Sequence, residues 1–481
     1  MALRWLVGFH RWSGVALCLF FAVWFGSGMV MLFVPFPSLD EAARLARAEA
    51  VDLSQVRVDP GTALALAGGG SALRLISGDG VLRYVAQGER VIDARTGHLA
   101  EPLGATAAGR IAARFSNMAV CRVSGPFAYD QWSVHHKFDP WRPLFRVELA
   151  DAAHTHLYVS ARTGEVVQRT QRWERGWNWL GAIPHWLYFT VLRKHQGVWD
   201  ATLWWLSLFA LAGAVSGAGL GLYRSAMHWR AKRRGVSPFK GWWRWHHVLG
   251  LAAGLFVLMW VFSGWLSMDH GRLFSTGKPA AASVLRYEGG SLHHALQGVS
   301  HAALAPLQGA TELAFSVVGG DLVVAGHGTG VMLIGEAVSS QPAATLPAER
   351  ITAAVRRAWR QARLLRSTDQ NDGLYRAADA IAHDALRFTV PGPRPLDLYI
   401  DRRSGRLLLQ SDRSRKAYAW SYFALHTAHL PGLDGRPRLR LGLQLALLAL
   451  GGLFSLTGMV LGIKRLAWHG RRSQLRLHGH Q

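Results

Sequence analysis

Apolar residues along the chain are gathered into four long runs, at 5–34, 198–223, 243–268 and 441–463, with polar sequence between them. A helix rises 1.5 Å per residue, so about 20 mostly apolar residues cross the roughly 30 Å of bilayer hydrocarbon. Each run meets that length, which predicts membrane helices over 1–34, 198–223, 243–268 and 441–463. The first run reaches Pro35-Phe36-Pro37 without a small-residue cleavage site, so it is expected to be a retained helix and not a removed signal peptide. The polar segments 35–197 and 269–440 contain short strand-like runs that end in glycine turns, and they predict two α+β domains.

Charge orients these elements. The loop 224–242 and the start of the third run hold Arg224, Arg230, Lys232, Arg233, Arg234, Lys240 and Arg244, and the tail 464–481 holds Lys464, Arg465, Arg471, Arg472 and Arg476. Neither stretch contains Asp or Glu, which marks both as cytoplasmic under the positive-inside rule. Every acidic residue falls between Asp40 and Asp200 or between Asp269 and Asp434, so the two large domains are expected on the periplasmic side of a bacterial inner membrane and both termini inside. The net charge of +24 is then largely a topological signal with lipid as its partner, and it predicts no nucleic-acid partner. The surplus on the outer domains favours an anionic or chelating ligand. Cys18 and Cys121 are the two cysteines, and C-x-x-C is absent, which predicts no disulfide, no iron–sulfur cluster and no covalently attached haem.

The chain is also expected to be a tandem repeat. His10, Gly14 and Ser27-Gly28 in the first run recur with the same spacing as His246, Gly250 and Ser263-Gly264 in the third. His185 and Ser216-Gly217 recur as His426 and Thr457-Gly458 at one offset of 241, which also relates Leu157-Tyr158-Val159 to Leu398-Tyr399-Ile400. The expected fold is therefore a four-helix membrane bundle made from two helix–domain–helix units related by an axis along the membrane normal.

Ionisable residues within or beside membrane helices are costly and read as functional by default. His10 and His246, each about one turn inside the cytoplasmic end, would face each other across the bundle, as two imidazoles that hold a haem iron do. Gly14 and Gly250 lie four residues along on the same helix faces, where they leave room for a flat macrocycle or simply allow close helix packing. His185 and His426 approach the outer ends of the second and fourth helices and form a second candidate pair. A straight helix would carry His185 about 20 Å beyond its span, so a break is expected, for which Pro431-Gly432 is a candidate in the second half. His247, His195 and His429 are alternates, whereas His228 and His469 read as solvated tail residues. Gly217-x-Gly219-x-Gly221 lies inside a span without a preceding strand and reads as a packing face, not a dinucleotide site.

These features resemble the PepSY-associated transmembrane proteins, an iron-regulated inner-membrane group that includes ferric-siderophore reductases. The resemblance rests on His-x-x-x-Gly and Ser-Gly in the first and third runs, on Pro184-His185-Trp186-Leu187-Tyr188-Phe189 with Leu192-Arg193, on Tyr158-Val159-Ser160 leading to Thr163-Gly164-Glu165-Val166, and on Leu425-His426 with Gly435-Arg436. It implies two periplasmic PepSY-like domains and two non-covalent b-type haems, one held by His10 and His246 and the other by His185 and His426. It further implies electron flow from a cytoplasmic or quinone donor to a ferric siderophore or other ferric chelate in the periplasm, with Arg193 and Arg436 as candidates for haem propionates or an anionic chelate. Two other classes are a siderophore or metal permease component and a periplasmic peptidase-binding module. A permease predicts polar residues at mid-membrane, where Gln444 is the main one.

Overall fold

A computed structural model of the chain describes residues 1–86, 90–271, 273–334, 341–365, 372–382, 384–430, 432–433 and 435–478, with side chains described to 469. Arg471, Arg472 and Arg476 of the basic tail therefore fall outside the described side chains, and Pro431 outside the described residues. Four helices are long and apolar enough to cross a membrane: Ala2–Met31, Gln196–Arg230, Gly241–Ser267 and Pro437–His469. They are the first to fourth membrane helices below, and the chain is a multi-pass membrane protein. The second helix continues to Arg230 and the fourth to His478, well past their apolar runs, because no proline interrupts the basic sequence that follows.

The first helix packs against the second and fourth, and the third packs against the same two, which closes a four-helix ring. Phe25, Ala253, Phe256, Val257, Trp260 and Leu448 fill its middle. Phe25 enters where Gly451 leaves space, since a Cβ at that glycine would overlap the Phe25 ring. On the outside Leu255 is 84% exposed, and Leu19, Leu222 and Ile463 are likewise uncovered, a surface that suits lipid and not water.

Residues Pro37–Arg175 and Ser275–Lys416 form the second compact unit. Its largest sheet is antiparallel with six strands: β1 (Leu73–Gly78), β2 (Val81–Ala86) and β3 (Val91–Asp93) from the first polar segment, and β8 (Glu312–Val318), β9 (Asp321–Gly326) and β10 (Gly330–Ile334) from the second. The two segments, read as two domains, thus share one sheet. Strand β1 pairs with β8 so that Leu73 lies opposite Phe315 and Leu75 opposite Leu313. The physical reason is that a three-stranded meander alone leaves an open edge, and pairing edge to edge removes two of them while merging the apolar faces into one core.

Each segment adds a four-stranded meander: β4 (Val120–Phe127), β5 (Leu144–Leu149), β6 (His156–Ser160) and β7 (Val166–Thr170) in the first, and β11 (Arg363–Leu364), β12 (Leu386–Val390), β13 (Leu396–Ile400) and β14 (Leu407–Ser411) in the second. Helix Ala105–Ser116 buries Ala108, Ile111, Ala112 and Phe115, a period of three and four, against the first of these. The strands β6 and β13 do not alternate in exposure as a half-buried strand would, because the face away from the helix is also covered. There Tyr158 donates to Asp130 (2.6 Å) and Tyr399 to Asp372 (2.9 Å).

Candidate imidazole sites in the membrane bundle

His10 projects from the first membrane helix onto the second, where its Nδ1 lies 3.2 Å from the carbonyl of Gly213 and 3.3 Å from Ser216 Oγ. A carbonyl only accepts, so Nδ1 carries the proton. Ser216 gives its single hydroxyl proton to the same Gly213 carbonyl at 2.7 Å, which leaves its oxygen to accept from the imidazole. The next residue, Gly217, is where the ring rests, and a Cβ there would overlap His10 Cε1.

The same arrangement recurs between the third and fourth helices. His246 Nδ1 lies 3.1 Å from Thr457 Oγ1, whose proton goes to the Phe454 carbonyl at 2.6 Å, and a Cβ on the following Gly458 would stand 3.4 Å from His246 Cε1. The two halves differ in one respect. Phe454 stacks on His246 with ring centroids 4.9 Å apart, and it fills the space beside Gly250, where a Cβ would come within 3.0 Å of it. Among the described residues nothing lies within 4 Å of a Cβ at Gly14. The clearance expected at both glycines is thus open at Gly14 and taken by Phe454 at Gly250.

His185 and His426 reach the opposite end of the bundle through breaks in the helices. His185 lies in the short helix Ala182–Trp186, which stops at Leu187 in the left-handed region (φ 49°) before the chain turns through Thr190–Arg193 into the second membrane helix. His426 lies in Leu425–Thr427, after a π-helical turn over Trp420–Ala424, and the helix stops at Ala428 (φ 52°). Both breaks fall two residues after the histidine, and the one in the second half precedes Gly432. Gln444, the polar residue of the fourth helix, donates to the Thr427 carbonyl at 2.9 Å and so pins that break.

At this end the hydroxyls come from the first and third helices. His185 Nδ1 lies 2.9 Å from Ser27 Oγ, and His426 Nδ1 lies 3.1 Å from Ser263 Oγ. Ser27 and Ser263 in turn donate to the carbonyls of Trp24 (3.2 Å) and Trp260 (3.1 Å). Gly28 and Gly264 follow, with Cβ positions that would fall 3.6 and 3.3 Å from the respective imidazole Cε1 atoms.

All four histidines therefore present one tautomer, with Nδ1–H donated to a Ser or Thr and Nε2 left with a lone pair. Among the described residues no hydrogen bond satisfies these four Nε2 atoms. Burial pushes His185 down to about 3 and His426 down to about 4, so both are neutral at physiological pH. A neutral imidazole whose other nitrogen is fixed by a hydrogen bond is the form that binds a transition-metal ion or a haem iron.

The alternates are placed differently. His247 is buried with both nitrogens engaged, Nδ1 with Ser237 Oγ at 2.9 Å and Nε2 with the Gly221 carbonyl at 3.0 Å, so it ties the basic loop to the second helix. His195 is exposed at the start of the second membrane helix, and His429 Nδ1 meets Thr427 Oγ1 at 2.7 Å. Arg193 is buried, its guanidinium over Tyr188 (5.1 Å) and Trp199 (4.1 Å), whereas Arg436 is exposed. The hydroxyls Ser27, Ser216, Ser263 and Thr457 entered the sequence reading only as landmarks of a repeat. Their signal was that each precedes a glycine and each half carries two.

In the second unit, a cavity of about 60 Å³ is lined by Arg44, Arg47, Arg114, Glu165 and Glu312. Glu165 is buried and accepts from Trp141 (2.8 Å), Arg74 (2.8 Å) and Arg44 (2.5 Å), and the Arg74 and then the Arg44 guanidinium hold its carboxyl at about 2 against the effect of burial.

The family described as the PepSY-associated TM region matches residues 7–465 of the chain. Among curated proteins none matches it.

Proposed function

The chain belongs to the PepSY-associated TM region family, and from that premise and the fixed imidazole tautomers we propose that it is an inner-membrane electron-transfer protein holding two b-type haems. His10 and His246 ligate one through Nε2, and His185 and His426 the other. Both termini and the basic loop lie in the cytoplasm, the sheet unit lies in the periplasm, and the chain arose by tandem duplication of a helix–domain–helix unit. The reaction is reduction of a ferric siderophore or similar ferric chelate.

The observation that carries this reading is the fourfold Nδ1–H to hydroxyl contact. It fits the group because bis-imidazole ligation needs two neutral rings with free Nε2 lone pairs, and each end of the bundle supplies such a pair. Bound there, haem supplies a one-electron ferric–ferrous couple. The protein's part is to hold each ring against rotation, since turning an imidazole would break its bond to Ser27, Ser216, Ser263 or Thr457. His10 and Ser27 are 17 residues apart on one helix, which separates the two levels by about 25 Å along the axis. Phe25, Phe256 and Trp260 occupy the interval and exclude water. Reduction releases the metal because hard oxygen ligands hold ferric iron far more tightly than ferrous iron.

The test is a visible spectrum of the detergent-purified protein, oxidised and then dithionite-reduced, with a pyridine haemochrome count. Two b-type haems per chain are expected, one lost in H10A or H246A and the other in H185A or H426A. A colourless, folded protein from haem-replete cells would overturn the reading.

A further inference from the structure

Asp200 and His270 form a pair that the four ligand imidazoles do not use. Asp200 lies in the second turn of the second membrane helix and is the one carboxylate carried by the four membrane helices. His270 lies three residues beyond the third, with Nδ1 2.5 Å from Asp200 Oδ2. Both side chains are partly exposed, at 24% for Asp200 and 39% for His270. The positions related to them in the other half are Leu441 and Val34, so the fold of the bundle does not require the pair.

The surroundings are flat and aromatic. Trp204, one turn along from Asp200, lies over His270 with ring centroids 5.1 Å apart, and it also meets Trp265 (5.6 Å) and Trp205 (4.7 Å). Trp205 is 63% exposed on the outward surface of the bundle, where lipid would lie. The indole Nε1 of Trp265 is buried and has no hydrogen-bond partner among the described residues, a donor aimed at no acceptor of the protein. Asp200 stands 16 residues from Ser216 along its helix, about 24 Å, which places it level with His185 and His426. The neighbouring Trp199 donates to the carbonyl of Trp186, next to His185, at 2.8 Å.

We infer that this corner of the bundle is a quinol-oxidising site that takes its substrate laterally from the bilayer. The ligand class follows from the groups present. A flat ring suits the tryptophan walls, a ring oxygen suits the Trp265 N–H, and a hydroxyl suits a base. With its Nδ1–H held by the Asp200 carboxylate, His270 presents Nε2 as that base. As the quinol's two C–OH groups become C=O, two protons and two electrons leave. His270 Nε2 takes the protons in turn and passes each to water. The electrons go one at a time to ferric haem iron at the level of His185 and His426, an oxidant that rests on the function proposed above.

The test uses full-length protein in lipid nanodiscs, both as isolated and in a haem-free preparation, titrated anaerobically under dithionite with decylubiquinol, whose hydroxyl can donate to the His270 base, and followed by quenching of tryptophan fluorescence. Saturable binding is expected in both preparations, at least ten-fold weaker in H270A and in D200A and unchanged in H195A. H270Q keeps a hydrogen bond to Asp200 without the base, so it guards against loss of fold. It is expected to bind decylubiquinol within a few fold of wild type, while reduction of the bound haem by decylubiquinol slows at least ten-fold with haem content unchanged. Absence of saturable binding, or binding equal in wild type, H270A and D200A, overturns the site. Binding lost in H270A from a protein that never contains haem supports the site and overturns only the source of its oxidant.

Discussion

Ser27 Oγ stands 2.9 Å from His185 Nδ1 while giving its own proton to the Trp24 carbonyl, so the serine can only accept from the imidazole. That contact crosses 158 residues of sequence and fixes which nitrogen of His185 faces the bundle interior. Its consequence is testable without any assumption about substrate. Replacing Ser27 by Ala removes the acceptor and frees the ring to rotate or to take the other tautomer. Loss of such an outer partner commonly weakens metal binding 10- to 100-fold. Haem titration of S27A is expected to show that weakening for one of two sites, and S263A the same for the same site through His426.

Gly217 and Gly14 sit on facing helices at the basic end and should respond oppositely to one methyl group. A Cβ at Gly217 would overlap His10 Cε1, whereas a Cβ at Gly14 meets none of the described residues within 4 Å. Overpacking of this kind costs about 1–3 kcal/mol, and here it also displaces the His10 imidazole. G217A is expected to lower the melting temperature in detergent and to lose the His10 site. G14A is expected to leave the melting temperature near wild type, while G14L, which fills the open space, removes cofactor from the same site without displacing His10.

Much of this was legible in sequence because the bilayer imposes a length, and four runs of the right length are hard to mistake. The histidines were legible because an ionisable group in such a run recurs at one spacing. The hydroxyl partners were not, because Ser216 and His10 are brought together by helix packing and Ser-Gly in a membrane helix reads equally as a close-packing face. The breaks at Leu187 and Ala428 carry no glycine or proline at the left-handed residue itself, so the turn that delivers His185 and His426 leaves no local mark. Nor does any local pattern in β1 announce its pairing with β8, about 240 residues away.

Glu165 offers a check on the joint between the two polar segments. It is buried against Arg44 and Arg74, and Arg74 also meets Glu312 of the second segment at 2.8 Å. Removing one member of a buried pair leaves the other charge uncompensated, at a cost of about 3–5 kcal/mol. E165Q is expected to destabilise the sheet unit by that order, measured by urea unfolding of the full-length protein. E165Q combined with R74M is expected to recover most of the loss, which would not follow if Glu165 merely filled space.

Acid should weaken the sheet unit in two steps with the same sign. His156 is driven down to about 4, first by burial and then by Arg175 and Arg146, from an unfolded value near 6.5. Between those values the unfolded chain binds the proton and the folded chain does not, so stability falls as pH drops from about 6.5 to 4 and no further from this group. Glu165, held at about 2 against an unfolded value near 4.5, adds a second loss as pH drops from about 4.5 towards 2. Far-UV circular dichroism melts of the full-length protein between pH 7.5 and 3 are expected to show a decline that begins below about pH 6.5. H156Q should flatten the upper part of that decline and leave the lower part, whereas E165Q should lower stability throughout and flatten the lower part. A wild-type profile that stays level to pH 4.5 and matches H156Q would mean that His156 is protonated in the fold and that the cations of Arg146 and Arg175 do not reach it.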